Sequence, residues 1–159
     1  AEFVIGSAEG LRDLAARETM QIGATLAMTA AMNSYLGLCH ALAMPLCALY
    51  HMPHGQACGM ALPHVLRFNA PAVGRKVADI FRALGFWGES EGPDTLGKGY
   101  ERLENLLKDV GVTAGLGSFG WRDEHMEIIV REALASAQRP TNPRDPSEED
   151  VVGIVRNMI

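Results

Sequence analysis

The sequence predicts an all-α domain. Three observations carry this reading. Apolar residues recur at the 3.6-residue spacing of a helical turn in one segment after another, and no segment shows the apolar–polar alternation of a half-buried strand. Gly85 and Gly111 stand where two of the apolar stripes end. With 159 residues, 48% of them hydrophobic and 21% charged, the chain suits one domain with a sizeable core and is too apolar for a disordered tail.

The first helix runs from Leu11, with Leu11, Leu14, Ala15, Ile22, Leu26 and Ala30 on its apolar face and Arg12, Asp13, Arg17 and Glu18 on its wet face. It is expected to start near the surface and enter the core. Gly37 either bends it or lets it continue into Cys39–Ala43, and Pro45 ends or kinks that pattern. Pro53-His54-Gly55 is a turn signal, after which Gln56–Phe68 reads as helical, with Pro63 kinking or dividing it. Val77, Ile80, Phe81 and Leu84 form the next stripe, between Arg75, Lys76, Asp79 and Arg82, with Gly85 as its stop.

A further stripe joins Leu96, Tyr100, Leu103, Leu107 and Val110. Arg122–Ala137 carries Met126, Ile129, Ala133 and Leu134 at helical spacing. For the last helix, Ser147 is the expected N-cap, with Glu148, Glu149 and Asp150 at the positive end of the helix dipole. Val151, Ile154, Val155 and Met158 are its buried side. No internal repeat is present.

Composition excludes several function classes. With 14 basic and 19 acidic residues the net charge is −5, and no Lys/Arg cluster forms the basic footprint of a nucleic-acid binder. Three cysteines, Cys39, Cys47 and Cys58, make an odd set rather than a disulfide framework and read as reduced thiols in a cytoplasmic protein. Ala1–Ser7 lacks a basic n-region and is too short for a secretory signal. Residues 1–10 are therefore expected to be a cut end or cloning remnant, ahead of a helical domain over 11–159.

Charge is unevenly distributed. Between Glu18 and Arg67 there is no Asp, Glu, Lys or Arg, yet four of the five histidines fall there. Charged side chains are almost never fully buried unpaired, so this run reads as interior. A membrane span needs about 20 predominantly apolar residues. The run is interrupted by Thr25, Thr29, Asn33, Ser34, His40, His51, His54 and Gln56, which favours a core and no membrane. Met28, Met32, Met44, Met52 and Met60 are expected to fill gaps in it.

Four groups of residues invite a chemical reading. Gly115-Leu116-Gly117-Ser118-Phe119-Gly120 matches GxGxxG, but a dinucleotide loop needs a strand before it and a helix opening after it. The segment ahead is a charged helix end, so an inter-helix loop is expected. Cys47, His51, His54 and Cys58 offer zinc-ligand types without zinc-module spacing. His40 and His54 come from two segments that could aim imidazoles at one point, as metal and catalytic sites require. Hydrogen-bonded core histidines are the plainer alternative, since Zn²⁺ wants at least three protein groups. His64 is expected to pack in the interior and His125 to be an ordinary surface histidine.

Read together, Gly37-Leu38-Cys39-His40-Ala41-Leu42-Ala43-Met44-Pro45-Leu46, then Pro53-His54-Gly55, then Leu62-Pro63-His64-Val65 with Phe68-Asn69-Ala70-Pro71, carry a resemblance. The ordered set closes with Asn142-Pro143-Arg144 and Glu149-Asp150-Val151. It resembles the C-terminal pattern of the iron-containing (group III) alcohol dehydrogenases: GxxHxxAHPxG, PHGxA and LPHVxxFN. The resemblance covers nearly everything from Leu11 to Ile159.

It implies a helical bundle like the C-terminal, dehydroquinate synthase-like domain of those enzymes. Family members move a hydride between NAD(P) and an alcohol or aldehyde carbon, with Fe²⁺, or sometimes Zn²⁺, in a cleft between that domain and an N-terminal nucleotide-binding domain. His40 and His54 match two of the metal's ligands. The other two, an Asp and a His on one helix, belong ahead of Leu11, where Ala1–Gly10 has no DxxxH pair. The nucleotide-binding domain is expected to be absent from this chain, leaving it inactive alone and prone to form a homo-oligomer through uncovered apolar surface.

Met44 takes the place of a family histidine that sits near the nicotinamide and is assigned to proton transfer. It is thus a cofactor-contact position without a proton to relay. Another group, such as His51, would have to carry that proton. The alternative function is a standalone helical self-association module with a two-histidine half-site and no catalysis.

Overall fold

The computed structural model describes residues 13–86, 95–112 and 115–159, and every regular element among them is helical. The expected remnant at 1–10, and Leu11 and Arg12, lie outside the described residues. Six α-helices follow in order: α1 Leu14–Ser34, α2 Leu38–Tyr50, α3 His54–Ala83, α4 Thr95–Asp109, α5 His125–Ala135 and α6 Glu148–Arg156.

The principal core lies where α2 and the first half of α3 pack against α5 and α6. Leu38, Leu42 and Leu46 of α2 meet Ala57, Ala61 and Val65 of α3, with Ile129 of α5 and Val151 and Val155 of α6. A smaller core joins Val77 and Phe81 of α3 to Tyr100 and Leu103 of α4. There the Phe81 and Tyr100 rings meet edge to face at 5.1 Å. Gly99 allows that approach, because a Cβ at this position would collide with the Phe81 ring.

Asp13, read from the sequence as part of the wet face of the first helix, is instead its N-cap, accepting from the Ala15 and Ala16 amides. Other local expectations hold. Ser147 caps α6 in a reciprocal capping box with Asp150. Gly85 and Gly111 follow α3 and α4 with positive φ, the conformation glycine adopts at least cost.

The structure departs from the sequence reading at other points. Pro45 does not end its helix. It costs the bond to the Ala41 carbonyl, but it is itself buried, and α2 runs on to Tyr50. Gln56–Phe68 and the Val77 stripe are one helix, α3, kinked at Val73 (φ −136°, ψ 29°) just beyond Pro71. In that stripe Val77 and Phe81 are buried, whereas Ile80 and Leu84 face outward.

The larger correction concerns α1. The charge-free run divides at Tyr35–Gly37, where the axis turns by 111° from α1 to α2. The α2 side is core, but α1 buries no residue, and Leu26, Met28 and Met32 are exposed by 66%, 58% and 75%. Met44 is also exposed, while Met52 and Met60 fill the core as expected. Absence of charge marks a surface suited to burial; it does not ensure that the same chain supplies the cover. Among the described residues no single helix is long and apolar enough to cross a membrane.

Candidate metal centre

The Pro53-His54-Gly55 turn starts α3 shortly after α2 ends at Tyr50, and α3 packs back along α2 so that a residue of its first turn reaches one of the first turn of α2. His51 provides the link: it adopts the left-handed conformation (φ 50°, ψ 31°) as the C-cap of α2 and remains exposed. His40 stands in the first turn of α2 and His54 is the first residue of α3. Their ring centroids are 5.1 Å apart. Of the two arrangements left open by the spacing, convergence is the one observed.

A third group joins them. Cys58 lies one turn along α3 from His54, and its Sγ is 3.5 Å from His54 Nε2. Ligand atoms of His40, His54 and Cys58 all lie within 4.8 Å of one another. Cys47 Sγ approaches the opposite ring nitrogen, Nδ1 of His54, at 3.8 Å. Cys39 meets Cys58 from the other helix, its thiol donating to the Cys58 carbonyl at 3.1 Å. Hydrogen bonding with Cys58 and burial push the Cys39 thiol far above its ordinary value.

A divalent metal fits this donor set. Imidazole suits zinc and iron alike, thiolate suits zinc, and donors this close can meet one ion at about 2.0–2.3 Å with small rotamer changes. His40 is partly buried, and desolvation followed by the neighbouring His54 holds it below the ordinary histidine value. That favours the neutral imidazole, the form that ligates.

The start of α2 is fixed by a polar network. Asn142 Oδ1 accepts from the Leu38 amide at 3.1 Å, two residues before His40. The same oxygen accepts from Asn69 Nδ2, and Asn142 Nδ2 donates to Asn69 Oδ1 at 2.7 Å. Arg144 donates to the Phe68 carbonyl and lies over the Phe68 ring at 4.1 Å. The Phe68-Asn69 and Asn142-Pro143-Arg144 motifs are thus two halves of one clamp on the helix that carries His40.

Met44 stands one turn beyond His40 on α2, at the edge of a cleft of about 440 Å³ that Pro45, Leu49 and Ile128 also line. It does not belong to the His40–His54–Cys58 group. His64 is half-buried on α3 beside Arg67 and Glu104, and burial, then Arg67, depresses its protonation. His125 is more than a surface histidine: its Nδ1 lies 2.9 Å from the Tyr50 hydroxyl and its ring meets the Tyr50 ring edge-on.

The glycine pattern is a short 3₁₀ turn over Leu116–Phe119, whose Leu116 amide donates to the Met158 carbonyl. It is a connector against the C-terminus, as its sequence context indicated. By sequence Cys58 stands with His54 among zinc-type ligands, in a group discounted for its spacing. The available signal was the i+4 relation of Cys58 to His54, which only a helix beginning at His54 would bring onto one face.

Comparison with known proteins gives concordant results. Residues 1–159 match the family model described as the Fe-containing alcohol dehydrogenase family, C-terminal. The chain is 36% identical over 148 residues to lactaldehyde reductase of Escherichia coli strain K12, spanning 92% of this chain and 38% of that protein. It is 35% identical over 146 residues to 1,3-propanediol dehydrogenase of Klebsiella pneumoniae, again 38% of the relative's length. Among solved structures it resembles the alcohol dehydrogenase from Oenococcus oeni with a TM-score of 0.85 and 28% identity, covering 93% of this chain and 39% of the other. The chain therefore spans about two-fifths of the proteins it matches.

Proposed function

Since the chain belongs to the iron-containing alcohol dehydrogenase family, matching its C-terminal region along its whole length, we propose that it supplies the metal-binding side of an NAD(P)-dependent oxidoreductase acting on alcohols or aldehydes. The observation that carries this is the convergence of His40 and His54 from two helices, with ring centroids 5.1 Å apart. His40 and His54 would hold the ion, which would supply Lewis-acid polarisation of a substrate oxygen beside the carbon that exchanges hydride. The Asn69–Asn142 clamp sets the position of His40, and Cys47 sets the orientation of the His54 ring.

Met44, on the exposed side of α2, is the proposed contact to the nicotinamide. Its thioether gives apolar contact and relays no proton. NAD(P) would be held chiefly by an α/β domain beyond these residues, because no described segment presents a strand-borne glycine loop. The chain alone is accordingly expected to show no NADH oxidation with small aldehydes. The three free thiols agree with a cytoplasmic setting.

The test is an anaerobic calorimetric titration with Fe²⁺ and Zn²⁺, repeated on His40→Ala. Stoichiometric binding that the variant loses supports the reading, and binding unchanged in the variant removes it. A second reading, self-association without catalysis, draws on the exposed Leu26, Met28 and Met32 of α1. Sedimentation equilibrium checks it, and a strictly monomeric mass would count against it.

A further inference from the structure

We propose that Cys58 is a third protein ligand at this centre, so that the chain offers an ion two imidazoles and one thiolate. The inference rests on the metal-site reading above and adds a donor to the two histidines that the family resemblance implies. Cys58 and His54 are four residues apart on α3, the spacing that stacks two side chains on one face. Sγ of Cys58 lies 3.5 Å from Nε2 of His54. A tetrahedral ion with a metal–sulfur bond of about 2.3 Å and a metal–nitrogen bond of about 2.05 Å sets those two ligands about 3.5 Å apart. The pair already has the length of one edge of a coordination tetrahedron, and a ring nitrogen of His40 lies within 4.8 Å of both, near enough to reach a third corner by a rotamer adjustment.

The remaining thiols are sorted by their own contacts. The Cys39 thiol lies outside the His40–His54–Cys58 group and donates to the Cys58 carbonyl at 3.1 Å, on the turn of α3 that presents Cys58. Cys47 sits at Nδ1 of His54, on the far side of the ring from Cys58. Cys47 thus occupies the place beside Nδ1 that an outer partner takes when a metal binds an imidazole through Nε2, the nitrogen that faces Cys58. On coordination the Cys58 S–H bond breaks, a metal–sulfur bond forms, and one proton leaves to solvent for each ion bound. No oxidation state changes. A thiolate corner makes the site softer than an all-imidazole one and suits it to zinc.

The test is anaerobic titration of the chain with Co²⁺, read by absorption, on the wild type and on Cys58→Ser, Cys47→Ser and His54→Ala. The expected result is a near-ultraviolet sulfur-to-cobalt charge-transfer band in the wild type that persists in Cys47→Ser and vanishes in Cys58→Ser. Cys58→Ser should also bind at least about tenfold more weakly. X-ray absorption on the zinc-loaded wild type, which needs no variant to fold, should show one sulfur neighbour at about 2.3 Å. Cobalt binding that needs His54 but shows no charge-transfer band, with only nitrogen and oxygen around zinc, would overturn the Cys58 assignment while leaving the two-histidine reading standing. Absence of binding, or binding indifferent to His54→Ala, would overturn both.

Discussion

Asn69 and Asn142, 73 residues apart in sequence, face each other with paired carboxamides, each donating to the other, while Asn142 Oδ1 also receives the Leu38 amide. One side chain thereby ties the start of α2 to the middle of α3 and to the segment before α6. Asn69 is nearly inaccessible, so removing its partner leaves a buried amide unsatisfied. Asn142→Ala is expected to destabilise the chain by about 2–3 kcal/mol in urea denaturation. It should also weaken metal binding, because His40 stands two residues beyond the anchored amide. A variant as stable as the wild type would show that the clamp is dispensable.

Metal binding should register as stability. An ion that binds the folded chain and not the unfolded one adds about 2.7 kcal/mol at a free concentration of 100 Kd. Zn²⁺ is therefore expected to raise the thermal midpoint of the wild type, with reversal by chelator. His40→Ala and His54→Ala should show little or no rise. Differential scanning calorimetry with and without zinc makes the comparison.

His64 links stability to pH. Burial, and then the nearby Arg67, hold its protonation below the ordinary histidine range, with Glu104 opposing. The unfolded chain then binds the proton more readily than the folded one below about pH 6.5, so stability is full above that value and declines as pH falls toward the depressed folded value. His64→Gln is expected to flatten this acid-side decline while leaving stability at pH 8 nearly unchanged. Urea midpoints measured from pH 8 to pH 5 test the sign; a steeper decline in the variant would contradict it.

The exposure of α1 can be tested in the same chain. Leu26→Glu replaces an apolar side chain that is 66% exposed, so the cost in the monomer should stay within about 0.5 kcal/mol. If α1 faces pair between copies, the substitution should shift a sedimentation profile toward monomer. A loss of several kcal/mol in the monomer would instead place Leu26 in a core.

Gly99 is expected to resist even alanine. A Cβ there would collide with the Phe81 ring, which is fully buried and has little room to give. Gly99→Ala should cost about 1–3 kcal/mol of thermal stability through overpacking. At the open Gly153 the same change should be neutral or stabilising, since its Cβ meets nothing within 4 Å inside α6.

Much of the fold was legible before any coordinates. Helical spacing identified α1, both halves of α3, α4, α5 and α6, though not α2 as a helix of its own, and the glycines after α3 and α4 and the Ser147 cap marked ends where backbone geometry or an orphan amide demands a particular residue. Pro45 misled because its effect on a helix is local, whereas the burial that carries α2 through it comes from α3 and α5. The charge-free run misled at α1 for a related reason: hydropathy says that a surface needs cover and says nothing of what provides it.

The candidate site divides along the same line. Residue type and order alone determined the helical class and membership of the family, and offered the convergence of His40 and His54 as one of two open readings, because these depend on spacing within short segments. Only the tertiary structure decided that the first turns of α2 and α3 meet, that Cys58 and Cys47 flank opposite nitrogens of one imidazole, and that Asn142 reaches back to anchor Leu38. Those relations depend on the chain's turn at His51 and on contacts between residues up to 104 positions apart, and no local spacing encodes a contact made across the fold.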